Sequence, residues 1–213
     1  FMKVRLGIGE VIPTILMNFV GIYLAAFVVH GPLQENRGVF PQTDLISDAA
    51  RLSILVEGTR LHAGFLIALL VGVVLWAGLH WTHFGFQVRS VGTSLDAARV
   101  SGMIKSKRVL LVVFLSSGAI AGLAGGIEIT GVTFALYEGL SPGWGYTAIA
   151  VALLAGLHPG WVVFTGLLFG GLEAGAGAMQ REAGVPAAWV SAVEALVILF
   201  VLAGDQIRRR LGA

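Results

Sequence analysis

VLLVVFLSSGAIAGLAGGIEI, residues 109–129, is apolar around every side of any helix it forms, and its single charge, Glu128, stands at its far end. A helix on the surface of a soluble domain has one oily stripe; a helix oily all round is enclosed by protein or lipid. At about 1.5 Å per residue this stretch crosses a hydrocarbon core of about 30 Å. Val11 to Val29, Gly64 to Thr82 and Ala188 to Gly204 read the same way. The whole chain agrees: 56% of its 213 residues are hydrophobic and 12% charged, with a mean hydropathy of +0.86, where soluble domains carry about a quarter charged residues. Backbone polar groups in hydrocarbon must be bonded internally, and runs without alternation select helices over a barrel. The expected fold class is therefore all-α, a polytopic transmembrane helical bundle.

Between the last two long runs the pattern breaks. Tyr146 to Leu157 is short, His158, Pro159 and Gly160 interrupt it, and the glycine-rich run Trp161 to Met179 follows. Proline and glycine in an oily stretch predict a short or broken helix pair. Two crossings are preferred, the first short and the second broken or tilted, over a re-entrant hairpin. The chain opens on Phe1 with no signal-peptide pattern, so its start reads as truncated or internal. With no cysteine, disulfide frameworks, thiolate metal sites and cysteine nucleophiles are excluded.

Basic residues near span ends set the orientation. His80 to Arg108 carries Arg89, Arg99, Lys105, Lys107 and Arg108 against Asp96, and the tail carries Arg208, Arg209 and Arg210. Both should face the cytoplasm, as should Lys3 and Arg5, while His30 to His62 and the segment Thr130 to Gly145, free of Lys and Arg, should face outward. Trp81, Trp144, Trp161 and Trp189 then lie at span ends as interfacial anchors.

Gly118, Gly122 and Gly126 recur every four residues, as do Gly166 with Gly170 and Gly171 with Gly175. This spacing permits close helix packing and says nothing of chemistry. Two acids continue such stripes: Glu128 follows Gly125, Ala124 and Ala121, and Glu173 follows Gly170 and Gly166 at three and seven residues. A carboxylate facing lipid at mid-bilayer costs about 2.5–3.5 kcal/mol, so these side chains should face protein or water. Glu128 reads as a solvated helix end, whereas Glu173 and Glu194, lying within their spans, suit a translocation path or a helix contact. Asn18, in the first span, suits a bond to a neighbouring helix more than a substrate contact.

VGTSLDAARVSGMIKSKR, from Val91 to Arg108, is too polar to span. Thr93 with Asp96 three residues on fits a capping box, and Lys105, Lys107 and Arg108 follow the helix's end, in accord with its macrodipole. A short cytoplasmic helix ending near Gly102 is expected, with Leu95, Ala98 and Met103 forming a small apolar face for a partner or for the headgroup layer.

Here the chain resembles a family. GTSLDAARVSGM, SSGAIAGLAGGIEITG, YTAIAVALLAGLHPGWVVFTGLLFGGLEAGAGAMQ and VSAVEALVILFVLAG, with GEVIPTILMNFVGIYLAAFVVHGPL and FPQTD before them, are similar to permease subunits of bacterial ABC importers for nucleosides and simple sugars, relatives of the branched-chain amino-acid permeases. The resemblance covers nearly the whole chain, through diffuse motifs in order. It implies that the helix with Gly92, Ala97, Ala98 and Gly102, together with Thr93, Ser94, Asp96, Arg99 and Met103, is a coupling helix seated in a cleft of an ATP-binding subunit. Implied partners are that subunit, a second permease subunit (the same or a different chain), an extracytoplasmic substrate-binding protein and the lipid bilayer, with no nucleic acid and no cofactor.

The chain departs from the family at Ser94 and Leu95, where asparagine and proline are frequent, and at Glu194, where glutamine is frequent. Full-length members carry further amino-terminal spans, so residues 1–213 read as one partial permease domain in a bacterial cytoplasmic (inner) membrane, carboxyl terminus cytoplasmic. No Gly-x-x-x-x-Gly-Lys-Ser/Thr loop is present, and ATP hydrolysis falls to the partner. Two other readings compete. One is a proton- or ion-coupled secondary transporter using Glu173 or Glu194, for which the broken helix at His158 to Gly160 is suggestive. The other is an intramembrane enzyme, for which His80 and His83 lack a third ligand and Ser116 and Ser117 lack a base.

Overall fold

The computed structural model describes residues 11–100 and 104–184, and individual positions from there to 204. In chain order the helices are α1 (Val11–His30), α2 (Gly64–Trp81), α3 (His83–Thr93), α4 (Leu95–Val100), α5 (Ser106–Glu128), α6 (Trp144–Leu154) and α7 (Pro159–Ala183). Among the described residues there is no strand, only the isolated bridges Gln42–Tyr137 and Ile54–His62. The all-α expectation is met. α1, α2, α5 and α7 are long and apolar enough to cross a membrane. The last expected span, Ala188 to Gly204, is described only at separate positions, all helical, and Glu194 lies outside the described residues.

At most 6% of each span's apolar window is buried. A Cβ added at Gly118, Gly122, Gly126, Gly166, Gly170, Gly171 or Gly175 meets no atom within 4 Å. The glycine stripes are present and bare.

Contacts divide the chain into two compact units, Phe1–Val71 with Ala77–Leu140, and Gly72–Trp76 with Ser141–Ala213. In the second, α6 has 11 residues, about 16 Å of helix and too short to cross. The 25-residue α7 reaches about 37 Å. The expected break in this second helix is not there: the interruption falls wholly between α6 and α7. Gly156 and Leu157 take φ of 60° and 57° to reverse the chain, a conformation that costs a non-glycine residue about 1–2 kcal/mol. His158 then caps α7, its Nδ1 accepting from Gly160 N at 3.2 Å, and Pro159 stands in the first turn, where no amide hydrogen is missed. Thr165 Oγ1 donates to Val151 O at 3.1 Å, tying α7 back onto α6.

In the first unit, a long connection with no span of its own joins α1 to α2. Glu35 N donates to Gln42 O at 2.8 Å, and its carboxylate accepts from Phe40 N at 3.0 Å and Gln42 Nε2 at 2.9 Å. Thr43 N, Ile46 N and Leu52 N donate to Leu136 O, Phe134 O and Thr130 O, each at 2.9 Å, stitching the connection onto the far end of α5. That end does not stop at Glu128. The chain widens into a π turn over Ile129–Thr133 and closes on Phe134, whose φ is 58° and whose ring lies 4.6 Å below the Arg51 guanidinium.

His62 closes this junction. Its Nδ1 accepts from Gly64 N at 3.1 Å, the same His-x-Gly device that starts α7. Its ring lies so near Gly131 that a Cβ there would stand 2.5 Å from His62 Cε1, and a Cβ at Gly64 would meet both the ring and Ile127. Two glycines thus make the slot for one imidazole, and that slot joins the start of α2 to the end of α5.

Two predictions follow from this junction. Gly131→Ala should destabilise the full-length permease by about 1–3 kcal/mol through overpacking. His62→Ala should remove most of that penalty, a non-additivity that thermal unfolding of the two single variants and the double variant in detergent detects. Glu35, its carboxyl held below the ordinary range chiefly by the Gln42 side chain and then by the Phe40 amide, stabilises the connection at neutral pH and loses that contribution as pH falls through its lowered pKa. Proteolytic nicking at residues 31–43 should therefore rise in the wild type between about pH 6 and pH 3, and show a weaker pH dependence in Glu35→Gln.

Candidate functional site

The segment expected to couple to a partner is built from the end of α2 outward. Thr82 leaves the helix with φ −105° and ψ 153°. Its hydroxyl donates to Gly78 O and accepts from Gly85 N at 3.0 Å, so one side chain ends α2 and starts α3. The reversal is tight: a Cβ at Gly85 would collide with the carbonyls of Gly78 and Leu79. Arg89 Nη1 then reaches back to Leu79 O at 2.8 Å, a cation on the carbonyl end of α2.

α3 runs one residue further than the capping-box reading allows. Thr93 is its last residue, and its hydroxyl donates back to Arg89 O at 2.9 Å. Ser94, extended at φ −155° and ψ 108°, makes the break, and Ala98 N donates to Ser94 O at 3.1 Å to open α4. The cap position is Ser94, not Thr93: Thr93 is still within α3 with its hydroxyl bonded to Arg89 O, and the extended backbone comes one residue later.

The apolar face of α4 is also used differently from the expectation. Val91, Ala98 and Val109 are buried together, with Val88, Leu95, Ile104 and Leu110 packed around them. Leu95 and Ala98 therefore bind α4 to α3 and α5 and are not offered to a partner. What faces out is Gly92, Thr93 and Ser94, with Val100, 87% exposed. Val100 is missing from the sequence-based set because apolar spacing assigns a valine to the covered face; an isolated exposed one leaves no periodic signal. Asp96, Ala97 and Arg99 belong to the α4 backbone, while Gly102 and Met103 lie outside the described residues.

Lys107 and Arg108 prove to be in the first turn of α5, which begins at Ser106. They stand at the positive end of a long helix, where the macrodipole disfavours them, so a favourable dipole does not account for them.

Two of the residues expected to line a path, Asn18 and Glu173, lie on long apolar helices. Asn18 is exposed on α1, and Glu173 is exposed on α7. Among the described residues neither makes a hydrogen bond or ion pair with another side chain, and Glu194 lies outside them. Glu128 is half-buried where α5 passes into the π turn, and Thr133 Oγ1 donates to its carbonyl at 3.4 Å. His62 lies near it, so this acid stands beside the junction between α2 and α5. His62 itself was missed: its role depends on glycines at 64 and 131, and the second is distant in sequence. Among the described residues no group of three or more His, Asp or Glu could hold a metal ion.

Comparison with known proteins gives this arrangement a family. Residues 1–202 match the family described as branched-chain amino acid transport system / permease component. The chain is similar to the guanosine ABC transporter permease protein NupP of Bacillus subtilis, 35% identical over 99% of this chain and 61% of that protein. It is 36% identical to a glucose ABC transporter permease of Haloferax volcanii, over 98% of this chain and 57% of the relative. With the nucleoside ABC transporter permease protein NupB of Lactococcus lactis it shares 32% identity, over 94% and 57%. The chain thus spans about three-fifths of the length of these curated relatives. No solved structure matches. With four helices of membrane-spanning length and character, the chain is a multi-pass membrane protein and belongs to the family of branched-chain amino acid transport system permease components.

Proposed function

We propose that the chain forms part of the membrane subunit of an ATP-driven importer that carries a nucleoside or a simple sugar across the cytoplasmic membrane, as one permease domain. The observation that carries this reading is the family match together with identities above 30% to ABC permeases named for guanosine, nucleosides and glucose. Residues 83–100 face the cytoplasm in this reading and meet an ATP-binding subunit through Gly92, Thr93, Ser94 and Val100. A second permease subunit completes the path, and a substrate-binding protein delivers solute from outside. The chain performs no hydrolysis itself.

The geometry supplies a transmission. α3 is fixed to the end of α2 by Thr82, by the missing Cβ of Gly85 and by Arg89 on Leu79 O. α4 is fixed to α3 and to the start of α5 through Val91, Ala98 and Val109. A push on Gly92 to Ser94 therefore acts on both spans together, through packed side chains that do not yield independently. Asn18, Glu173, Glu194 and Glu128 are the side chains proposed to supply polarity along the path. Glu173 is foremost: it is the ionisable group within α7 exposed beside a bare small-residue stripe.

The chain has no native cysteine, so single cysteines report cleanly. Cysteine at Ser94 or Val100 should crosslink to the ATP-binding subunit in membranes and change its yield with nucleotide, while cysteine at Ala98, buried under α3, should not. Capture through Ala98 alone would overturn this docking face. In proteoliposomes holding the complete importer, uptake of a nucleoside or sugar should require ATP and survive collapse of the proton gradient; the opposite result would favour an ion-coupled carrier. Glu173→Gln should lower that uptake several-fold, and Glu128→Gln less, as measured by radiolabelled solute at matched protein levels.

A further inference from the structure

A cavity of about 450 Å³ opens between α3 and α5, lined by Phe84 and Gln87 from one side and by Lys105, Arg108, Val109 and Val112 from the other. Its volume falls within the range of about 300–1,000 Å³ in which specific small-molecule sites lie. It is separate from the exposed Gly92 to Ser94 surface, none of whose residues lines it.

The lining is graded. Lys105 precedes α5, and Arg108 and Val112 stand four residues apart on it, so the wall turns from cationic to apolar as the helix enters its span, which runs Ser106–Thr133. Phe84 adds a second apolar surface and Gln87 an amide. Among the described residues no carboxylate lines the cavity and neither cation is paired with one. Two positive groups thus sit over an oily wall at the end of a membrane helix, the depth at which lipid headgroups lie.

We propose that this cavity binds an anionic phospholipid, its phosphate held by Lys105 and Arg108 with Gln87 as a further donor, and one acyl chain lying along Phe84, Val109 and Val112. The match is charge for charge and oil for oil. A soluble phosphate would leave the apolar wall wet, and an acidic protein loop would have to follow the wall into hydrocarbon. Basic pockets beside cytoplasmic span ends recognise acidic headgroups in this way. The assignment also accounts for Arg108 in the first turn of α5, where the helix dipole alone opposes a cation.

The test uses the full-length permease assembled with its ATP-binding subunit, delipidated and titrated with phosphatidylglycerol or phosphatidylcholine, bound lipid being counted by native mass spectrometry. The wild type should retain phosphatidylglycerol in preference to phosphatidylcholine. Lys105→Gln with Arg108→Gln should weaken that retention about 30-fold, as expected for two cations near an acidic lipid. Lys107→Gln, an adjacent cation outside the cavity, should leave it within about twofold. Equal retention of both lipids, or an unchanged double variant, would overturn the proposal, as would an equal loss from Lys107→Gln, which would make the effect one of diffuse surface charge. Binding of glycerol phosphate as tightly as the whole lipid would assign the cavity to a soluble anion and equally overturn it. Failure of the double variant to capture the ATP-binding subunit, with lipid retention intact, would assign the cations to protein docking.

Discussion

Hydrocarbon offers the backbone no hydrogen-bond partner, and that single deficiency organises this chain. Within the spans it forces helix, since any unpaired amide or carbonyl there costs several kcal/mol. Its sharper effect is at the helix ends, where several donors and carbonyls lack partners within the helix. Each end has its own remedy. Thr82 serves the end of α2 and the start of α3 with one hydroxyl, and His62 and His158 accept from the glycine amides two residues on. Arg89 covers Leu79 O. At the far end of α5 the π turn and the carbonyls of Thr130, Phe134 and Leu136 accept the α1–α2 connection.

The same remedies fix what moves with what. A helix end satisfied by a flexible loop can swing; one satisfied by a neighbouring helix cannot do so without breaking the bond. α2 and α5 are tied at one end through α3 and at the other through an imidazole held between two glycines. α6 and α7 make a separate hairpin, reversed at Gly156 and Leu157 and tied by Thr165 to Val151 O. These ties are polar and local, and they work where packing between spans is sparse.

The spans were legible because oiliness all round a helix needs no knowledge of neighbours: α1, α2 and α5 begin and end within a few residues of the apolar runs, and the interruption at His158 to Gly160 is where Pro and Gly place it. Composition failed where a boundary depends on one hydroxyl. Thr93 fits the pattern of a cap, yet its neighbours leave it within reach of Arg89 O, and Ser94 takes the break. It failed again for Leu95 and Ala98, since periodicity identifies an apolar face but not what covers it. His62 was invisible because its slot combines Gly64, nearby, with Gly131, across the fold. The polar residues proposed for a path were legible as chemical exceptions in oil.

The glycine stripes carry a consequence for how such a protein is made. A Cβ at Gly118 or Gly170 meets nothing within 4 Å among the described residues, so each stripe leaves room for another helix backbone to come close. Insertion and assembly then become distinct events: each span can enter the bilayer on its own oiliness, while the close packing that small residues allow waits for other helices to arrive.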